Sequence, residues 1–112
     1  MTEAYLTGCF VVAHDPVIKS VGTTTTAHIS GMLVETFTTN DIKKEIFSYL
    51  DFEVWDKAAD YIAANCRKGD TLVVLNSVPR QNKWETEDGV KHSKIIFRIK
   101  SFRVIPKKES RI

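Results

Sequence analysis

The chain has 112 residues, 43% of them apolar and 27% charged, with a formal net charge of +2. That length suits one domain with a real core, burying roughly 65% of the surface its unfolded form exposes. No apolar run is long enough for a transmembrane helix, and the opening Met-Thr-Glu-Ala-Tyr-Leu-Thr lacks the basic-then-apolar layout of a signal peptide. The charge is unevenly placed: residues 1–79 hold 6 basic and 10 acidic side chains, a net of −4, whereas residues 80–112 hold 10 and 4, a net of +6. This asymmetry points to an anionic partner on the C-terminal half. Cys9 and Cys66 have no metal-ligand spacing and read as reduced, buried thiols.

In chain order, Tyr5 to Ala13 is apolar and β-branched enough for a strand, with Gly8 as a bend or bulge. His14-Asp15-Pro16 ends it, because proline cannot donate to a ladder. Val17 to Thr25 is a connector or short strand. Thr26 to Phe37 is a second strand with Ala27, Ile29, Gly31 and Leu33 on one face, and the polar stretch Thr38 to Glu45 reads as a loop. Phe47 to Trp55 is a third strand that sorts into two faces, Ser48, Leu50, Phe52 and Val54 on one and Phe47, Tyr49, Asp51, Glu53 and Trp55 on the other.

The period then changes. Ala58, Ala59, Ile62, Ala63 and Cys66 recur at helical spacing, with Arg67 and Lys68 at the negative C-terminal end and Gly69 as the stop. Thr71 to Val78 is a fourth strand, apolar on both faces up to Asn76 and therefore central. Pro79 and Arg80 lead through Gln81, Asn82, Lys83 and Trp84 to a hairpin turn at 85–89, signalled by Asp88-Gly89. Lys91 to Val104 is a fifth strand, with Ile95, Phe97 and Ile99 toward the core and Lys94, Ile96, Arg98 and Lys100 outward. Phe102 breaks that register, so a bulge is expected near Ser101. Residues 106–112 form a short basic tail beyond a domain spanning 1–105.

Three strands, one helix and two strands is the order of an all-β, five-stranded Greek-key barrel of the OB type, with the helix between strands three and four. A parallel βαβ fold needs a helix between most strands. On the third strand, aromatics separated by carboxylates make a poor core face but a good platform for flat ligands, of which nucleic-acid bases are the obvious case. Arg80, Lys83, Lys91, Lys94, Arg98 and Lys100 supply positive charge for phosphates, and Lys94 and Arg98 are in phase on one strand face. Each phosphate contact on a single strand contributes about −0.7 to the log–log salt slope of binding. Asp51 and Glu53 sit oddly on a face meant for an anionic ligand.

Trp55-Asp-Lys-Ala-Ala-Asp-Tyr-Ile62, then Arg67-Lys-Gly-Asp70, Leu72-Val-Val74, Trp84 and Asp88-Gly89 follow in order. This series resembles the bacterial-type single-stranded DNA-binding proteins, over roughly residues 4 to 105 and most closely over 47 to 98. The resemblance implies an OB-fold protein that is not an enzyme and needs no cofactor. It would bind and protect single-stranded DNA without strong sequence preference in replication, recombination or repair. Bases would stack on Phe37, Tyr49, Trp55 and Trp84; Phe37 and Tyr49 stand where the family often has tryptophan. The expected partners are single-stranded DNA, further copies of the chain (a tetramer or dimer built by pairing first strands) and replication proteins, with no membrane and a cytoplasmic location in a bacterial or phage-infected cell. Lys107 to Ile112 lacks the acidic-apolar tip of cellular members, by truncation or by nature, and a phage or plasmid version or a replication-restart paralogue would fit such an ending. A primosome-type interaction module and an RNA-binding OB domain are the alternatives.

Catalytic patterns are absent from the sequence. His14, His28 and His92 are far apart, with no Cys/His spacing for zinc. Val21-Gly-Thr-Thr-Thr-Thr26 lacks the Gly-Lys-Ser/Thr ending of a phosphate loop, and no Gly-x-Ser-x-Gly occurs.

Overall fold

The computed structural model describes residues 2–107, so the last five residues of the expected basic tail lie outside the described residues. The elements are β1 (Leu6–Val12), β2 (Val17–Val21), β3 (Thr24–Thr39), β4 (Ile42–Trp55), α1 (Lys57–Asn65), β5 (Thr71–Glu85) and β6 (Lys91–Ile105). Neighbouring strands run β1-β5-β6-β4-β3, and β3 returns to β1 through Val11↔Met32 and Val12↔Gly31. That return closes a five-stranded barrel, the architecture expected from the sequence. The connector Val17 to Thr25 supplies β2, which pairs only with β3 on the rim. In chain order the helix therefore follows the fourth strand rather than the third.

The inward residues alternate as the pleat requires. Phe10, Val12, Ala27, Ile29, Phe52, Val54, Leu72 and Val74 are all buried. Phe52 lies at the centre, with its ring centroid 5.0 Å from Phe10 and 5.9 Å from Phe97. Helix α1 adds Ala59 and Ile62 to this core, and Cys66 follows them. Cys9, expected to be buried, alternates instead to the outside of β1 with Thr7 and Val11 and is exposed.

Arg67 serves the C-terminal end of the helix as expected, but Gly69 is not its stop. The chain turns extended already at Cys66, and Arg67 Nη1 donates to the carbonyls of Ala63 (3.1 Å) and Cys66 (2.9 Å). Gly69, at φ +91°, instead serves the turn into β5, where its N–H donates to Val12 O at 2.8 Å. The adjoining Asp70 is fully buried and accepts from the backbone N–H groups of Arg67 (2.8 Å) and Lys107 (3.0 Å). Lys68 N–H donates to Asp15 Oδ1 at 2.8 Å. The Arg-Lys-Gly-Asp signature thus ties the end of the helix to β1 and β6.

Two hairpins run past the barrel. The stretch Thr38 to Glu45, read as a loop, is strand except for the two-residue turn Asn40-Asp41, whose φ values of 51° and 63° suit a tight hairpin. Strand β5 likewise continues through Pro79 to Glu85. The radius of gyration of 16.2 Å exceeds the roughly 13 Å of a compact chain of this length, as the projecting hairpins require. Past the barrel's edge the inward phase no longer means burial, so Leu33, which shares the face of Ala27 and Ile29, and Ile95, expected in the core, are both exposed. The expected bulge is present: β5–β6 pairing shifts at Leu75 and again at Lys100, between Asn76↔Ser101 and Ser77↔Ile99, and returns Phe102 to the core side.

Gly31 is required by packing. A Cβ there would lie 2.7 Å from Phe52 Cε2 and 3.0 Å from Phe10 Cβ, both in buried side chains. Gly31→Ala is expected to lower stability by about 1–3 kcal/mol, the usual cost of overpacking, read as a fall in the denaturation midpoint with the m-value unchanged.

Candidate nucleic-acid interface

The pairing register assigns each candidate side chain to a face. Phe52 and Val54 of β4 are inside, so Tyr49, Asp51, Glu53 and Trp55 are outside. Their β3 partners, in the same order, are Met32, Ser30, His28 and Thr26. The short parallel pairing Phe52↔Phe97 and Glu53↔Arg98 joins β6 to this surface. Arg98, Ile96, Lys94 and His92 then share its phase, and Val78, Arg80, Asn82 and Trp84 lie opposite them on β5. One continuous outer face therefore holds Tyr49, Trp55, Trp84, Arg80, Lys94 and Arg98.

The other candidates stand differently. Phe37 pairs with Lys44 and lies in phase with Ala27 and Ile29, on the reverse side of its ribbon from Tyr49. Lys83 and Lys91 alternate to the reverse of the β5–β6 ribbon, although with Trp84, Glu85, His92 and Ser93 they line an open groove at its end. Lys100 is exposed in the bulge. Sequence phase therefore assigns the inward and outward sides of the barrel, but does not show that two hairpin ribbons each carry candidates on both sides.

The aromatics differ in access. Tyr49 is 62% exposed and Trp84 44% exposed, while Trp55 is half-buried. The Arg98 guanidinium lies over the Trp55 ring, 5.2 Å from its centroid, a cation–π contact that covers one face of the indole. Trp84 stacks on His92, its direct cross-strand partner, with centroids 5.4 Å apart and planes 16° apart. Sequence reasoning misses His92 as an aromatic surface, because its neighbour across the strands is not visible in the sequence. Phe47, which is not among the stacking candidates, is exposed in phase with Tyr49.

The two carboxylates are accounted for by cations. Glu53 is 4% exposed, and its Oε1 accepts from Arg80 Nη1 at 3.0 Å and Arg98 Nε at 3.2 Å. Asp51 is half-exposed and pairs with Lys94 at 3.5 Å. Burial pushes the Glu53 carboxyl up, but the hydrogen bonds from Arg80 and Arg98 outweigh it and leave the group below its ordinary value of 4.5. The buried Trp55 N–H has no fully formed hydrogen bond, and its pull on Glu53 is weaker than that of either arginine. Ile96, expected on the outer side, is in that phase yet 5% exposed, because it floors a cleft of about 180 Å³ walled by Lys19, His28, Glu53, Trp55 and Arg80. Among the described residues no group of three or more His, Cys, Asp or Glu could hold a metal ion, and no helix is long and apolar enough to cross a membrane.

No protein-family model matches the chain, and no curated protein matches it. Solved structures do share its architecture. An SSB of Plasmodium falciparum in complex with ssDNA superposes with a TM-score of 0.77 at 21% identity, over 94% of this chain and 97% of that one. A small single-stranded DNA-binding protein from Streptomyces coelicolor gives 0.68 at 14% identity, over 97% and 99%. A deletion mutant of the single-stranded DNA binding protein from Thermus aquaticus gives 0.72 at 14% identity, over 89% of this chain and 49% of that one. Similarity at this level of identity establishes a common OB fold.

Because Glu53 holds its proton less readily folded than unfolded, its contribution to stability is complete above about 4.5 and is lost as pH falls through the lower folded value. Denaturant titrations between pH 6 and roughly pH 2 should show stability falling in that acid window, with a smaller fall in Glu53→Gln. Equal falls in both chains would remove Glu53 as a source of acid sensitivity.

Proposed function

We propose that this protein binds single-stranded DNA through the outer face of its barrel, without catalysis and without strong sequence preference. The observation that carries this reading is the shared face itself: exposed Tyr49 and Trp84 stand in phase with Arg80, Lys94 and Arg98. Flat side chains take unstacked bases, and basic ones take the backbone between them. The fold likeness to an SSB in complex with ssDNA adds support.

Within this reading Tyr49 and Trp84 are base platforms. Trp55 takes a base on whichever side Arg98 leaves open. Phe37, Lys83, Lys91 and Lys100 meet the strand only where it passes around a ribbon edge or the bulge. Coating of this kind keeps single strands free of hairpins during replication, recombination or repair. Strand β1 pairs with β3 only at Val11 and Val12, so the edge over Leu6 to Phe10 is available to a second copy of the chain and supports a homo-oligomer.

Titration with oligo-dT should quench tryptophan fluorescence, and mass measured on the same sample should exceed that of one chain. Tyr49→Ala and Trp84→Ala should each weaken binding by about 1–3 kcal/mol, and Trp84→Ala should also remove much of the quench. Matched oligo-U in competition reads the preference for DNA over RNA. Full affinity in both alanine variants at moderate salt would overturn the assignment of this face.

A further inference from the structure

We infer that Glu53 is a positioning residue, one that aims Arg80 and Arg98 at the bound strand although it carries the same sign of charge as that strand. The inference rests on the single-strand reading above and goes beyond it in giving a carboxylate a supporting role. Three observations converge. One oxygen, Glu53 Oε1, accepts from both guanidinium groups, at 3.0 and 3.2 Å. Glu53 is nearly inaccessible, while the side chains of Arg80 and Arg98 remain 53% and 35% exposed. Arg98 is held a second time, over the ring of Trp55.

The bonding pattern leaves the arginines usable. Arg98 spends its Nε–H on the carboxylate, so both of its Nη groups stay free of Glu53. Arg80 spends one Nη1 hydrogen and keeps the rest of its fork. The cluster of one carboxylate and two guanidiniums keeps a net charge of +1. Two long side chains that would otherwise lose rotamer freedom on binding are ordered before the ligand arrives. Asp51 makes the contrast, since its single pair with Lys94, at 3.5 Å and half-exposed on both sides, fixes nothing and only competes for the lysine.

The two carboxylates therefore have opposite expected effects. Charge alone says that removing either acid strengthens binding to an anion; positioning says that Glu53→Gln weakens it. Oligo-dT affinity should be measured across a salt series for the wild type, Glu53→Gln, Asp51→Asn and Arg98→Lys. Glu53→Gln should bind about tenfold more weakly, on the scale of a missing charge-assisted hydrogen bond, with a salt slope shallower by up to about 0.7 for each phosphate no longer held. Asp51→Asn should bind about twofold tighter, the scale of an exposed ion pair. Arg98→Lys keeps the charge but not the fork, and should also weaken binding.

Glu53→Gln that binds as well as or better than the wild type overturns the positioning role, as do equal losses in Glu53→Gln and Asp51→Asn. If Glu53→Gln does not fold, Glu53→Asp decides, because it keeps the charge but draws the carboxylate back from both guanidiniums: weaker binding at unchanged charge upholds the role, and unchanged affinity overturns it. A wild-type chain that does not bind oligo-dT overturns the single-strand reading and the positioning role together, an outcome distinct from a wild type that binds beside an unaffected Glu53→Gln.

Discussion

The structure turns on two consecutive residue pairs, Phe52↔Phe97 and Glu53↔Arg98, where β4 and β6 run parallel and join the two halves of the barrel. Parallel pairing is less stable per residue than antiparallel pairing, and this ladder is very short. Side chains on both faces compensate. Inside, Phe52 meets Phe97 and Phe10 around Gly31, whose missing Cβ is what admits the two buried rings. Outside, Glu53 gathers Arg98 from β6 and Arg80 from β5. One register thus fixes the apolar centre and the charged centre of the molecule, so the geometry of the outer face follows from the packing of the core.

From that junction the two long ribbons, β3–β4 and β5–β6, carry the same outer phase beyond the barrel. A strand that leaves a barrel keeps its alternation but loses its interior. Apolar side chains in the inward phase then face solvent, as Leu33 and Ile95 do, and aromatics in the outward phase become accessible, as Tyr49 and Trp84 are. The ribbons offer extended surface without adding core. Cross-strand hydrogen bonds pair the inner half of their backbone groups and solvent meets the outer half, which lets them project without burying polar groups unpaired.

What the sequence makes legible follows this division. Period-two alternation places Phe52 and Val54 inside, helical spacing places Ala59, Ile62 and Cys66 against the core, and the broken phase at Phe102 locates the bulge. Each of those signals lies within one element. Neighbours brought together by topology leave no local trace. Asp51 and Glu53 are puzzling in the sequence because Lys94, Arg80 and Arg98 reach them from strands 27 to 45 residues away in the chain. The polar stretch around Asn40-Asp41 reads as a loop because exposed ribbon has no hydrophobic alternation to show. The side taken by Phe37 depends on that ribbon being paired residue by residue, which composition does not reveal.

The Glu53 cluster also explains how an acidic residue is compatible with the anion-binding role proposed for this face. A buried carboxylate with one partner would be neutral as a pair, and with none it would be expelled or protonated. With two arginines the group keeps a surplus positive charge, directed outward, because the carboxylate is beneath and the guanidiniums are above. Removing the acid would raise the formal charge, yet would leave the two guanidiniums that now share Glu53 Oε1 to repel one another. The same carboxylate thus reduces the repulsion within the cationic patch and sets the direction in which the patch presents its donors. On such a face the arrangement of charge matters more than its sum, which is why a net charge of only +2 is no argument against a polyanionic partner.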